Sequence, residues 1–358
     1  MSYKKIIFTL ALLLSIGAVK AQNFKVDSTI VIKNDSLVIG ASLYMPLKSG
    51  KAPAMVMVSG TNPQDRKGTM AGYPFFEKIA EFLVSKGYAV LLMDDRGVGK
   101  STGNYQYATT ADFANDALVA IDYLRGNPKI DRNKIGLIGH SEGGAASAIA
   151  ASSSDKVKFI ISLAGLATNG FESLIQQNSD LVNNSKLSQM DKDRSNTINK
   201  LMFETAYKYA DSANMREKLD ETYAKWKKVD DSLFKLSGIK FDHFRFPIYS
   251  YVNIAVGKWY RYFIKYDATS IMKKISVPVL AINGDKDLMV AGAINLANWK
   301  KYIAAGGNNK VTTKLIPNVN HLLQSCQTCE MAEYRTIKTG INPEVLSTMA
   351  VWLSSTIK

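Results

Sequence analysis

The strongest chemical signal in the sequence is a serine enclosed by glycines. The motif Gly139-His140-Ser141-Glu142-Gly143 follows a short apolar run and precedes a segment rich in alanine and glycine. This pattern is typical of a sharp turn from a strand into a helix, where larger neighbours would clash and the serine hydroxyl faces substrate. We expect Ser141 to be a nucleophile and the N–H of Glu142 to donate a hydrogen bond to an oxyanion.

A serine hydroxyl needs a base at neutral pH, and the sequence offers three histidines. His140 adjoins Ser141 on the strand side of the turn, which favours a structural role. His243 lies upstream of the last predicted strands. His321 follows the apolar run 311–316 in a turn-rich loop, so we expect it to be the general base rather than a plain surface histidine.

The acid that orients the base should lie after the apolar run 277–282, where Asp285 and Asp287 compete. Asp285 is nearer the strand end, whereas Asp287 leaves room for the turn. We favour Asp287 because this group must reach across to His321. The other aspartate is then expected to cap a turn or the next helix.

A second oxyanion donor is expected in the loop after the third predicted strand, which runs from Ser59 to Arg66. Gly60 allows a tight backbone turn, and the N–H of Thr61 is our candidate donor. A plain turn is the alternative interpretation, since Gly, Asn and Pro also favour turns.

The stretch Asp94-Asp95-Arg96-Gly97-Val98-Gly99-Lys100-Ser101 ends like a phosphate-binding loop. It lacks the first glycine of that motif, because Asp94 occupies the position. We therefore exclude a nucleotide site and expect Asp95 and Arg96 to form a structural ion pair.

These residues require a scaffold of alternating strands and helices. The 358 residues are 46% hydrophobic and 21% charged, which is ordinary for a globular protein. An alternating segment over 24–44 predicts an antiparallel hairpin around Asn34-Asp35. Continuous apolar runs then predict buried parallel strands at 54–58, 89–93, 135–138, 159–164 and 277–282. Helical periodicities between them predict an α/β fold with a mostly parallel, doubly wound sheet.

The alternation stops after Leu166 and resumes near Ile275. We predict a core formed by 22–167 and 268–358, with a helical cap inserted at 168–267. The cap is dense in aromatic residues over 241–266, and these either line a pocket or anchor the cap to the core.

Residues 1–21 have the plan of a signal peptide, with lysines before a short apolar run. We expect cleavage after Ala21 and export to the periplasm or medium, without stable membrane insertion. The net charge of +14 is dispersed, so nucleic-acid binding is not expected. Cys326 and Cys329 are the only cysteines, and a local disulfide is expected in an oxidising compartment.

The chain resembles the serine esterases of the α/β-hydrolase superfamily that carry an S-G-x-x-P-Q-D-R loop. The resemblance rests on Ser59–Arg66, Asp94–Ser101, Gly139–Gly143, Gly284 with Asp287 and Val290, Asn320-His321, Trp259–Asp267 and Ile341–Leu346. It implies an α/β-hydrolase fold with an inserted cap. It also implies a catalytic triad and two oxyanion N–H donors, namely Ser141, Asp287 and His321, with Thr61 and Glu142.

These features together predict an exported carboxylesterase that cleaves small or medium acyl or aryl esters through an acyl-enzyme on Ser141. The chemistry needs no metal and no organic cofactor, and its partner is a small-molecule ester. A serine peptidase acting on peptides is the alternative, because the same triad cleaves amides. A binding module on the same scaffold is a further alternative.

Overall fold

A computed structural model describes residues 24–34 and 37–357. The predicted signal peptide and Asp35 of the predicted hairpin turn lie outside the described residues. Ten strands are described: β1 (Phe24–Asn34), β2 (Leu37–Pro46), β3 (Ala52–Val58), β4 (Thr69–Met70), β5 (Tyr73–Pro74), β6 (Ala89–Met93), β7 (Ile130–His140), β8 (Ile160–Leu163), β9 (Val279–Gly284) and β10 (Val311–Ile316).

Eight of these strands form one sheet in the order β1-β2-β6-β3-β7-β8-β9-β10, whereas β4 and β5 pair separately. The hairpin of β1 and β2 is antiparallel, and β2 is also antiparallel to β6. The remaining neighbours are all parallel. The mostly parallel, doubly wound sheet predicted from the apolar runs is therefore confirmed.

Helices cover both faces of the sheet, which explains why its central strands β3, β6 and β8 are almost entirely apolar and buried. In β3, Met55 and Met57 pack on one face while Val56 and Val58 pack on the other. The core helices are α1 (Phe75–Ser85), α2 (Thr110–Gly126), α3 (Glu142–Ser153), α10 (Gly292–Ala304) and α11 (Pro343–Thr356). Helices α1 and α11 share one face, and α2, α3 and α10 share the other.

Helices also fill the segment predicted to be a cap. They are α4 (Gly170–Asn183), α5 (Gln189–Tyr209), α6 (Met215–Leu236), α7 (Ile248–Ala255) and α8 (Lys258–Ile264), followed by the short α9 (Ala268–Met272). Their buried residues recur at helical spacing, with Ile198 and Met202 on α5 and Leu219 and Trp226 on α6. No described helix has both the length and the apolarity needed to cross a bilayer.

The topology determines where a site can form. Because β3, β7, β9 and β10 are parallel, the loops at their carboxyl ends all leave the same edge of the sheet. These loops carry Thr61, Ser141, Asp287 and His321 respectively.

Candidate active site

Ser141 occupies a strained turn between β7 and α3. Its backbone has φ 57° and ψ −122°, a conformation that residues other than glycine rarely adopt. A Cβ atom on Gly139 would lie 2.1 Å from the carbonyl oxygen of Gly143, and one on Gly143 would lie 2.2 Å from that of Val58. Both positions therefore require glycine, for the steric reason that the motif suggested.

His321 is oriented by a buried carboxylate. Its Nδ1 lies 2.8 Å from Oδ2 of Asp287. The other oxygen of Asp287 accepts hydrogen bonds from the N–H groups of Met289 and Val290, at 2.8 and 2.9 Å. An ionised carboxylate can only accept, so this arrangement favours the tautomer with the proton on Nδ1. Nε2 of His321 is then free to accept a proton.

Asp285, the competing aspartate, has a different contact. Its Oδ1 accepts a hydrogen bond from the N–H of Asn318 at 2.6 Å. This bond ties the loop after β9 to the loop that leads into His321. Asp285 therefore stabilises the loop that leads into His321, and it neither contacts the imidazole nor caps α10.

His140 is buried beneath the base and packs against it. Its Nε2 donates a hydrogen bond to the backbone carbonyl of His321 at 3.1 Å, and the two rings are 4.8 Å apart. Burial lowers the pKa of His140 to about 3, so its ring is neutral at neutral pH. His243 is exposed in the cap. The histidine that contacts a carboxylate among the described residues is thus His321.

Ser141 and His321 are linked through the side chain of His140 rather than by a direct hydrogen bond. Within the described chain, Ser141 Oγ forms no hydrogen bond to His321. His140, the residue before Ser141, contacts His321 as described above. Hydrogen bonds between a nucleophile and its base are often long without substrate, and they shorten when substrate binds.

The loop after β3 lies directly against Ser141. A Cβ atom on Gly60 would be only 2.9 Å from Cβ of Ser141, so glycine is required for this close approach. The N–H of Thr61 follows Gly60 in this loop. Glu142 is the first residue of α3, and its N–H therefore has no partner within the helix. These are the two positions from which oxyanion donors were expected.

Acidic side chains beneath the loop hold it in place, and their pairing differs from the sequence prediction. Asp95 accepts hydrogen bonds from Ser59 Oγ at 2.5 Å and from the N–H of Gln64 at 2.8 Å. Arg96 instead pairs with Asp116, at 2.7 Å. The prediction of an ion pair between Asp95 and Arg96 was wrong, because Asp95 binds the loop after β3 whereas Arg96 binds helix α2. Burial raises the pKa of Asp95 to about 7.

The side chain of Glu142 has a role that the sequence analysis missed. Its carboxyl group is buried and accepts hydrogen bonds from Thr61 Oγ1 at 2.6 Å, Thr110 Oγ1 at 2.6 Å and Trp259 Nε1 at 2.8 Å. Burial raises the pKa of Glu142. Glu142 thus links the loop after β3, helix α2 and cap helix α8.

The aromatic residues of the cap mostly pack against one another. Phe246 and Tyr251 are in contact, with ring centroids 5.7 Å apart, and Tyr251 shares a hydrogen bond with Tyr260. Trp259 is the exception, since it reaches the nucleophile turn through Glu142 while stacking on Phe263 at 5.0 Å. Packing within the cap explains most of this aromatic cluster, and Trp259 is the member that borders the turn of Ser141.

Cys326 and Cys329 form the expected local disulfide. It closes a short loop downstream of His321, and the Cys326 N–H donates a hydrogen bond to the carbonyl of Asn318 at 3.0 Å. The disulfide therefore lies in the same loop region that positions the candidate base.

The sheet topology, the strained serine turn and the neighbouring histidine–aspartate pair are those of the α/β-hydrolase fold class. The chain belongs to the X-Pro dipeptidyl-peptidase (S15) family, whose model matches residues 35–321. It is similar to the esterase EstD of Thermotoga maritima, with 24% identity over 311 residues that cover 87% of this chain and 64% of EstD. The chain therefore spans less than two thirds of the length of that relative.

Solved structures show the same fold. Est1E of Butyrivibrio proteoclasticus, in a structure with bound ferulic acid, superposes with a TM-score of 0.52 at 18% identity, covering 92% of this chain and 99% of Est1E. An esterase of Pyrococcus furiosus superposes with a TM-score of 0.53 at 14% identity, covering 94% of this chain and 92% of the esterase. At these identities the likeness establishes the fold alone.

Proposed function

We propose that the protein is an exported serine carboxylesterase that cleaves small or medium acyl or aryl esters. The observation that carries this proposal is the hydrogen bond between Asp287 and His321 at the same sheet edge as the strained turn of Ser141. Ser141 Oγ attacks the ester carbonyl while Nε2 of His321 takes its proton. The tetrahedral oxyanion accepts hydrogen bonds from the N–H groups of Thr61 and Glu142.

The intermediate collapses when His321 returns the proton to the departing alcohol, which leaves an acyl group on Ser141. Water, deprotonated by the same imidazole, then releases the acid and restores the serine. Asp287 keeps the imidazole oriented and stabilises its positive charge in both halves of the cycle. Similarity to EstD, which is named as an esterase, supports an ester substrate.

The test uses the purified protein from Gln22 onward and nitrophenyl esters with acyl chains from acetyl to octanoyl. We expect hydrolysis that depends on chain length, and covalent labelling of Ser141 by a fluorophosphonate probe. Ser141→Ala should lose the labelling and most of the rate, leaving roughly 10³-fold acceleration over water. Wild-type protein that neither labels nor hydrolyses any ester would favour the binding-module alternative.

The family match gives a specific reason to test a second candidate, a serine peptidase. Such an enzyme needs acidic groups to hold a free amino terminus. In the acidic cluster of the cap, Asp230 and Asp242 are both bound to Arg194, which makes them unavailable. We therefore expect aryl acetates to be cleaved faster than aminoacyl-prolyl anilides, and the reverse order would favour the peptidase.

Export has its own test. When the full chain is expressed with secretion machinery, mass spectrometry of the exported protein should give an amino terminus at Gln22. Replacing Lys4 and Lys5 by glutamate should reduce export, because a signal peptide needs a positively charged start. Intracellular accumulation of uncut, active protein would contradict this part of the proposal.

A further inference from the structure

The outward face of α6 exposes large apolar side chains. Val229, Leu233 and Leu236 are spaced four and three residues apart, which places them on one face of the helix. They are 58%, 62% and 84% exposed. Ile239 and Phe241 follow the end of the helix and are also exposed. We call these five residues the α6 patch.

The unpaired charges in the stretch that carries the α6 patch are positive. The exposed charged residues between positions 224 and 245 are all cations: Lys225, Lys228, Lys235, Lys240 and Arg245. Each acid in this stretch is paired with a cation. Asp230 is buried, Asp231 is half-buried and pairs with Lys227, and Asp242 is half-buried and pairs with Arg194.

Contacts of Arg194 lie beneath the patch. The guanidinium of Arg194 binds Asp230 at 2.6 Å and Asp242 at 2.7 Å, which joins α6 to the segment after it. The same group lies over the rings of Phe234 and Phe244, 5.3 and 4.4 Å from their centroids. These contacts join α6 to the segment that carries Phe241, and so connect the two parts of the patch.

We propose that the α6 patch docks the enzyme on the surface of an anionic lipid bilayer. A helix with exposed apolar side chains surrounded by lysines lies in the interface of such a bilayer, where the apolar groups enter the headgroup region and the cations meet lipid phosphates. The opposite charge of the lipid surface complements the cationic rim. This docking goes beyond ester hydrolysis and is measurable without turnover.

The experiment measures sedimentation of the protein from Gln22 onward with phosphatidylglycerol vesicles and with phosphatidylcholine vesicles. This form retains every described residue and omits the apolar run 6–19, which could bind lipid itself. We expect binding to the anionic vesicles that is reversed by high salt, with little binding to the neutral ones. Failure to bind phosphatidylglycerol vesicles at low salt would overturn the proposal.

Matched variants distinguish binding through the α6 patch from binding through the overall positive charge of the protein. Lys228→Gln with Lys235→Gln should weaken binding about 25-fold, at about five-fold for each lysine. Leu233→Ser with Leu236→Ser should weaken it at least about ten-fold. The control pair is Lys51→Gln with Lys129→Gln, two exposed lysines at the amino ends of β3 and β7, opposite the site. Equal weakening by the control pair would overturn the proposal.

Two further measurements complete the test. Every variant should keep the wild-type melting temperature and its rate on a soluble short ester, because the altered side chains are exposed and remote from Ser141. Sedimentation velocity without lipid tests whether the patch instead binds a second copy of the chain. Self-association that disappears in Leu233→Ser with Leu236→Ser would assign the patch to a second copy of the chain and overturn the lipid proposal.

Discussion

At the residue scale, two aspartates two positions apart in one loop have separate tasks. Asp287 accepts from the imidazole of His321, whereas Asp285 accepts from the backbone of Asn318. Both are needed near the base, but only Asp287 determines the tautomer of the ring. Exchange of each carboxyl group for an amide therefore distinguishes the two roles with the least change in volume.

We expect Asp287→Asn to lower kcat by about 10⁴-fold, because an amide can donate to Nδ1 and so favour the wrong tautomer. Asp285→Asn keeps an oxygen that can accept from Asn318, and its kcat should fall less than about ten-fold. Steady-state kinetics on one aryl ester would measure both. Similar losses in the two variants would show that Asp287 acts only through the loop.

At the element scale, the buried carboxyl group of Glu142 connects three parts of the molecule. It holds Thr61 in the loop after β3, the start of α2, and Trp259 in cap helix α8. The cap has a second attachment, since Gln177 of α4 donates to the carbonyl of Met289 beside Asp287. The cap is thus attached to the turn after β7 and to the loop after β9.

Trp259→Phe tests this attachment by removing one donor while keeping an aromatic ring. We expect the free energy of unfolding to fall by about 1–3 kcal/mol, since a buried acceptor loses a partner. We also expect kcat to fall more than KM rises, because Thr61 shares the same carboxyl group. Urea denaturation and kinetics would measure these effects.

Trp352→Phe is the matched control, as the indole N–H of Trp352 bonds to no other residue in the part of the chain that the structure describes. Equal changes in kcat for the two variants would show that the hydrogen bond from Trp259 to Glu142 has no specific effect on kcat.

The elements themselves could be predicted from sequence, but their polar connections could not. Apolar runs over 54–58 and 135–138 indicated buried strands because burial on both faces leaves a local pattern. The bond between Glu142 and Trp259 joins residues 117 positions apart and leaves no periodicity. The pairing of Arg96 with Asp116 was missed for the same reason. Three-dimensional proximity alone determines such contacts.

At the scale of the whole molecule, buried ionisable groups make stability depend on pH. Asp95 has its pKa raised from 3.8 to about 7 by burial, so the folded state holds this proton more tightly than the unfolded state. Its contribution to stability is therefore greatest at low pH and declines as pH rises toward 7. His140, with a pKa lowered from 6.5 to about 3, has the opposite effect between those values.

Comparison with Asp95→Asn isolates the aspartate, because His140 is present in both proteins. Between pH 5 and 8 the free energy of unfolding of the wild type should fall relative to the variant, by on the order of 2 kcal/mol. Urea denaturation across this range would measure the difference. Asp155→Asn, at an exposed position, controls for loss of one carboxyl group. A constant difference between wild type and Asp95→Asn would contradict the predicted titration.

The positive φ of Ser141 implies that the turn which exposes this hydroxyl also lowers the free energy of unfolding. Glycine adopts φ 57° without a Cβ clash, so Ser141→Gly should unfold with a free energy about 1 kcal/mol higher than Ser141→Ala, which keeps the clash. Thermal denaturation of the two inactive proteins would measure it, and equal melting temperatures would show a relaxed turn. Selection for heat resistance alone would therefore favour glycine over serine at position 141.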